Sequence, residues 1–269
     1  MVMYKEEMEI CMDNFEQFIV KSRYCKWVPE HNRREEWTET VSRFMNYMLN
    51  RFNLDYTSTD LVGIWNSIEE REVFPSMRAL MTAGPAADVD DVCLYNCSYI
   101  PVEEIRSFSD IMYILCCGTG VGFSCEAENT DKLPVIPEEI NRDTEDIMVV
   151  PDSRLGWAES FRYLLESLYS GTHPTWDTSK IRPAGTRLKT FGGRASGPEP
   201  LEKLFRYVVN TFMGARGRKL SSLEVHDIVC LTGEIVIAGA VRRSALISLS
   251  DLHDSEMAMA KSGPWWETS

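Results

Sequence analysis

Cys97 is the residue of this chain whose type and setting most readily suit chemistry, within the stretch YNCSYIPVEEIRSFSDIMYILCCGTGVGFSCE from Tyr95 to Glu126. A thiol on a short strand can do redox work if its thiolate is stabilised, or it can be a small core hydrophobe. The run Gly118-Thr119-Gly120-Val121-Gly122 that follows lets a ligand approach bare backbone, or it is a turn with no ligand. It is not a dinucleotide fingerprint, which needs a strand before it, a helix after it and a third glycine where Phe123 stands. Zinc is disfavoured by spacing: Cys93 and Cys97 are four apart, Cys116 and Cys117 are adjacent, and none of the four histidines makes a paired-ligand pattern. Arg242-Arg243-Ser244 can fork onto phosphate or base edges, or form surface ion pairs. No Ser/His/Asp set or HExxH motif is present.

These groups need a scaffold. Ile105, Phe108, Ile111, Met112 and Leu115 recur at helical spacing between β-favouring residues around Cys97 and the run after Gly120. The stretch therefore predicts a strand–helix–strand unit with parallel, adjacent strands. It would set the thiol beside side-chain-free backbone. Upstream, 4–20 and 30–52 are predicted helical, joined by a connector broken at Pro29, and a third helix is capped by Asp60. The first 73 residues make a helical packing layer. Character changes at Phe74-Pro75-Ser76. Met77 to Met81 is predicted as a buried strand, and residues 129–146 as a surface excursion without period. Ile147 to Val150, Arg187 to Phe191 and Ala245 to Ser250 are further predicted strands. Helices are expected from Asp152 or Ser153 to Gly171, from Leu201 to Met213, from Ser221 or Ser222 to about Ile237, and from Asp254 to Lys261. Alternating elements from residue 74 onward argue α/β with a largely parallel sheet.

Composition sets the outer bounds. The chain is 44% hydrophobic and 26% charged, which are globular values. No apolar run approaches the ~20 residues of a membrane helix, and the acidic start lacks a secretion signal's order. The eight cysteines are then expected to sit in a reducing cytoplasm as free, catalytic or metal-bound thiols and not as structural disulfides. A net charge of −13 argues against direct nucleic-acid binding. Lys180 to Leu220 runs against that average, with ten Lys or Arg and two Glu. Such a segment is a phosphate-contacting loop system or simply a solvated face.

Taken together, FPSMRALMTAG, YNCSYIP, CGTGVGF, DSRLGW, IRPAGTRLKTFGG, GRKLSSLEVHDIVC, VRRSALISLSDL and AKSGPWW resemble the monomeric class II ribonucleotide reductases, which are adenosylcobalamin-dependent ribonucleoside-triphosphate reductases. The resemblance runs in order from about Ser22 to Trp266. It implies the first half, about five parallel strands, of a ten-stranded α/β barrel. It makes Cys97 one member of a redox pair. Ser76, Asn96 and Gly120 fall at substrate-binding positions. Gly239, Val241, Arg242, Arg243 and Ser244 form the loop that relays effector identity to the substrate base. It implies an adenosylcobalamin cofactor, a ribonucleoside triphosphate substrate, a deoxynucleotide effector and a thioredoxin-like reductant. Residues 130–185 would be the insertion that imitates a dimer interface in the monomeric enzymes, with Asp152 and Arg182 as further candidates.

Members of that family are more than twice as long. Their second half carries the finger-loop cysteine, the second redox cysteine and most cobalamin contacts. The expectation is an N-terminal part, from a split gene or a truncation, that works with a C-terminal reductase half. The alternatives are a nucleotide-binding module without catalysis and an inert fragment.

Overall fold

The computed structural model describes residues 14–55, 58–186, 194–239 and 245–263. The chain divides into two compact units, Met1–Tyr95 and Asn96–Ser269. Among the described residues no helix is long and apolar enough to cross a membrane.

The first unit is helical: α1 (Asn14–Arg23), α2 (Trp37–Phe52), α3 (Thr59–Glu69), α4 (Met77–Thr82) and α5 (Pro85–Val89). The helix expected from Glu30 begins only at Trp37. Pro29 opens a 3-10 turn and Asn32 takes a left-handed φ of 49°. That reversal pairs Arg33–Arg34 (β2) antiparallel with Trp27–Val28 (β1). The Glu36 N–H then donates to Glu39 Oε2 at 2.7 Å and sets the start of α2. Packing of α2 on α3 and α4 buries Val41, Phe44, Met45, Leu49, Ile68 and Leu80. The strand expected over Met77 to Met81 is instead α4. Ser76 caps it, its Oγ accepting from the Ala79 N–H at 3.5 Å, and Met, Arg, Ala and Leu are strong helix formers. The Asp60 cap also moves: Ser58 is the N-cap and Asp60 sits in the first turn.

One carboxylate organises this unit. Glu35 accepts from the Lys26 N–H at 3.0 Å, Thr40 Oγ1 at 2.9 Å, and Arg43 Nε and Nη2 at 2.7 and 2.8 Å. Arg43 Nη1 and Lys26 Nζ both donate onward to the Ala83 carbonyl, at 2.9 and 2.7 Å. Burial alone would raise the Glu35 pKa, but these donors outweigh it and leave the carboxyl below its ordinary range. Burial, with Arg43 close by, lowers the Lys26 amine to about 8.

The second unit contains β3 (Cys97–Pro101), α6 (Ile105–Cys116), β4 (Gly120–Ser124), α7 (Ala127–Thr130), β5 (Asn141–Val149), α8 (Arg154–Tyr169), β6 (Thr172–Asp177), α9 (Glu199–Gly214), α10 (Ser222–Gly239), β7 (Leu246–Leu249) and α11 (Ser255–Met259). The predicted strand–helix–strand unit is present, and Cys97 lies opposite Gly120 across parallel β3 and β4. On its other side β4 pairs in parallel with β7, giving the order β3-β4-β7. A second parallel pair, β5-β6, forms its own sheet around α8. The α/β class with parallel strands therefore holds, with the strands divided three and two.

Two strand–helix–strand units thus stand in one body, helix α6 packed on helix α8. Phe108, Ile111, Met112 and Leu115 of α6 share a core with Phe161, Leu164, Leu165 and Leu168 of α8, and with Val121 and Phe123 of β4. The segment read as a surface excursion contributes here too. It completes α7, buries Leu133 and Ile136 and opens β5 at Asn141. Those apolar residues follow no helical or strand period because they are held in loop, where the Ile136 N–H donates to the Arg218 carbonyl. Strand β6 is absent from the sequence reading because Pro174 interrupts it, a residue confined to strand edges and bulges. The strand expected at Arg187 to Phe191 lies outside the described residues.

The start of α8 yields a first prediction. Ser153 caps the helix through the Gly156 N–H at 2.9 Å. A Cβ on Gly156 would meet Pro151 Cβ at 2.6 Å, the Pro151 carbonyl oxygen at 2.9 Å and Ser153 Oγ at 2.9 Å. Gly156→Ala is therefore expected to destabilise the chain by roughly 1–3 kcal/mol, despite alanine's better helix propensity. Urea denaturation checks this, and an unchanged midpoint counts against it.

Candidate functional site

The alternation of β4 separates two faces. Val121 and Phe123 are buried towards the helices, whereas Gly120 and Gly122 turn the other way. Their register partners share that second face: Cys97 and Tyr99 on β3, then Ile247 and Leu249 on β7 opposite Gly122 and Ser124. It is open, with Cys97 exposed, Tyr99 55% exposed and Ile247 65% exposed. The result is a shallow trough. Its floor is glycine backbone, and its sides are Cys97 and Tyr99 on one strand and Ile247 and Leu249 on the other.

Local hydrogen bonds fix the mouth of the trough. The Gly120 N–H donates to the Asn96 carbonyl at 2.8 Å, Ser98 Oγ donates to the Gly120 carbonyl at 3.1 Å, and the Val121 N–H donates to the Ala245 carbonyl at 2.9 Å. Gly118 ends α6 with a φ of 80°, a conformation that favours glycine, so the chain turns directly into β4. Asn96, Cys97 and Gly120 are therefore brought together. Ser76 belongs to the first unit, where it caps α4.

The relay-loop residues are placed only in part. Gly239 is the last residue of α10, and Val241, Arg242, Arg243 and Ser244 lie outside the described residues. Ala245 abuts Gly120, and His226 Nδ1 of α10 lies 2.9 Å from Ser248 Oγ of β7. Leu246 packs against Gly233 of α10, where a Cβ would come within 2.3 Å of its Cδ1.

Burial sorts the thiols. Cys116 and Cys125 are pushed up to about 12 by burial, which keeps them protonated at neutral pH. Cys117 is buried, with Arg154 Nη1 3.1 Å from its sulfur. Cys97, by contrast, is exposed on the glycine-floored face, the setting that thiol–disulfide exchange requires. Tyr99 was missed by sequence reasoning. A tyrosine in a strand reads as an ordinary β-former, and only the bare Gly122 beside it signals an unusual surface.

At the carboxyl ends of β5 and β6 a second polar group gathers. Arg182 Nε donates to Asp152 Oδ2 at 2.7 Å, and the Ser179 N–H donates to Asp177 Oδ1 at 2.8 Å. Carboxyl ends of parallel strands are where α/β folds form ligand crevices.

Comparison with known proteins fits this architecture. Residues 124–212 match the family described as B12-dependent ribonucleotide reductase, insertion domain, and residues 1–77 match the ribonucleotide reductase alpha domain. A crystal structure of a B-12 dependent (class II) ribonucleotide reductase superposes with a TM-score of 0.76 at 23% identity, over 94% of this chain and 44% of that one. The fold is thus that of a class II ribonucleotide reductase. The adenosylcobalamin-dependent ribonucleoside-triphosphate reductase of Lactobacillus acidophilus is 28% identical over 90% of this chain and 42% of its own length. That of Euglena gracilis is 28% identical over 87% of this chain and 34% of its own. A Dictyostelium discoideum protein, named a probable reductase of the same kind, is 30% identical over 88% and 36%. The chain is thus similar to the N-terminal part of adenosylcobalamin-dependent ribonucleoside-triphosphate reductases. It spans about two fifths of the length of these curated relatives.

Proposed function

We propose that this chain supplies the redox-cysteine strand and the nucleotide shelf of an adenosylcobalamin-dependent ribonucleoside-triphosphate reductase. The observation that carries the reading is the exposed Cys97 thiol in register with the side-chain-free backbone of Gly120. In the reduction, Cys97 and a second cysteine give up two electrons and two protons. The C2′ hydroxyl leaves as water, hydrogen replaces it, and a disulfide forms. A thioredoxin-like reductant restores the dithiol. The second cysteine and the radical-bearing cysteine come from the remaining part of a complete reductase, on the same or another polypeptide.

Adenosylcobalamin supplies the radical chemistry in this reading. The trough fits the cofactor poorly as its holder. Among the described residues, Cys97, Tyr99, Ile247 and Leu249 lie on an open, three-stranded surface with no walls that would enclose a corrin. Its contacts belong to the rest of the enzyme. A deoxynucleotide effector is assigned to the carboxyl ends of β5 and β6, near Asp152 and Arg182, with residues 239–244 relaying its identity. Ser76 is assigned to substrate binding on resemblance alone.

The test is deoxynucleotide formation from ribonucleoside triphosphates, in a mixture of this chain, a reductase C-terminal part, adenosylcobalamin and a thioredoxin-type reductant. Turnover supports the reading, and none with a complement that is active beside a relative's N-terminal part overturns it. Gly120→Ala isolates the shelf. Its Cβ would meet the Ala245 and Asn96 carbonyl oxygens at 3.4 and 3.5 Å, ordinary contact that the fold accepts. It is expected to weaken nucleotide binding about tenfold by filling the approach to the backbone. Calorimetry reads the affinity, and an unchanged value argues against the shelf.

A further inference from the structure

We infer that Tyr99 is a positioning residue for the same site, its ring walling the sugar pocket on the inner side of Cys97; the inference rests on the reading of Cys97 and Gly120 given above. Cys97 and Tyr99 project from the same face of β3, two residues and so about 7 Å apart along the strand. Tyr99 is 55% exposed, a costly place for an aromatic side chain unless something is to lie against it. Its register partner is Gly122, and a Cβ there would stand 3.7 Å from Tyr99 Cδ2. The ring thus lies beside the bare Gly122 backbone of β4.

The geometry gives the ring one direction in which to act. In the proposed reading residues 239–244 serve the base, and Ala245, which follows them in sequence, abuts Gly120 at the strand starts, so the base side of a nucleotide held there is assigned to that end. Tyr99 and Gly122 lie one row further along the strands from Cys97 and Gly120, away from the strand starts. A ribose whose C2′ faces the Cys97 sulfur has the Tyr99 ring at its far edge, with Ile247 across the trough. The apolar wall limits how far the sugar can slide along the strands. It also narrows the approach of water and small reagents to the thiol. The hydroxyl is not needed for either effect, so phenylalanine should serve almost as well as tyrosine.

The test uses the full chain and a neutral alkylating agent, iodoacetamide, with modification of each cysteine followed by peptide mass spectrometry. Cys230, exposed on α10, is the internal reference for intact folding. Without nucleotide, Tyr99→Ala is expected to speed Cys97 alkylation about fivefold, while Tyr99→Phe stays close to wild type and Cys230 is unaffected. With a ribonucleoside triphosphate, the concentration that half-protects Cys97 is expected to rise about fivefold in Tyr99→Ala and to be rescued in Tyr99→Phe. If wild-type Cys97 is protected and Tyr99→Ala is protected equally well, the positioning role is overturned. Absence of protection in the wild type overturns the nucleotide reading itself. The wall is then judged on the nucleotide-free rates: unchanged rates sink it, and faster alkylation in Tyr99→Ala sustains it.

Discussion

Cys97→Ser is expected to abolish sustained deoxynucleotide formation in the completed enzyme, a loss on the order of 10⁴-fold or more, the scale of removing a group that takes part covalently. A serine hydroxyl can occupy the same space on β3 but cannot form the disulfide that closes each reduction. Nucleotide binding should persist, because the shelf is made by the Gly120 backbone and not by the thiol. Deoxynucleotide yield per enzyme, followed past one turnover with a thioredoxin-type reductant, reads the effect. Full activity in Cys97→Ser would remove the residue from the redox pair. Cysteine-to-serine changes at Cys116 and Cys125 serve as controls, since burial holds both thiols at about 12 and outside exchange chemistry.

In the first unit the largest effect is expected at Glu35. Glu35→Gln leaves Arg43 and the half-buried Lys26 amine without their shared anion. Removing one partner of such a pair costs roughly 3–5 kcal/mol, because the remaining charge stays desolvated. Urea unfolding reports this, with a shift under about 1 kcal/mol counting against it. Arg43→Met added to Glu35→Gln should recover part of the loss, since a buried pair is dearer to break than to replace.

The same carboxylate sets a pH dependence. Its folded pKa lies below the unfolded value of about 4.3, so the folded state binds the proton more weakly. Its contribution is complete above that pH and is lost as pH falls through and below it. Glu39, pushed down to about 2 by Arg33 and the Glu36 N–H, titrates in the same acid range, so Glu35→Gln should flatten the acid limb without abolishing it.

What was legible in the sequence follows from physical cause. The unit around Cys97 could be read because one local pattern decides it: an apolar stripe at helical spacing in α6, β-favouring residues beside it, and a glycine where the helix must stop. The start of α8 was legible for the same reason, with Ser153 one of the two caps read there and the one the structure uses. Met77 to Met81 misled, because a short apolar run has no period to separate strand from helix, and the Ser76 cap decides it. Pro174 hid β6, and Leu133 and Ile136 are core residues held in loop, where no repeat exposes them. The trough itself is a property of register. No single strand shows that Tyr99, Gly122 and Ile247 share a row.

The packing of α6 on α8 has a consequence for concentration. Each helix is the crossover of its own parallel strand pair, and the apolar side of one is met by the other within the same chain. Two like surfaces on separate molecules would meet only as often as their molarity allowed, and dilution would part them. Here the chain from Cys117 to Ser153 joins them, and their effective concentration is set by that tether. The packing of the two strand–helix–strand units against each other is therefore insensitive to how much of the protein is present.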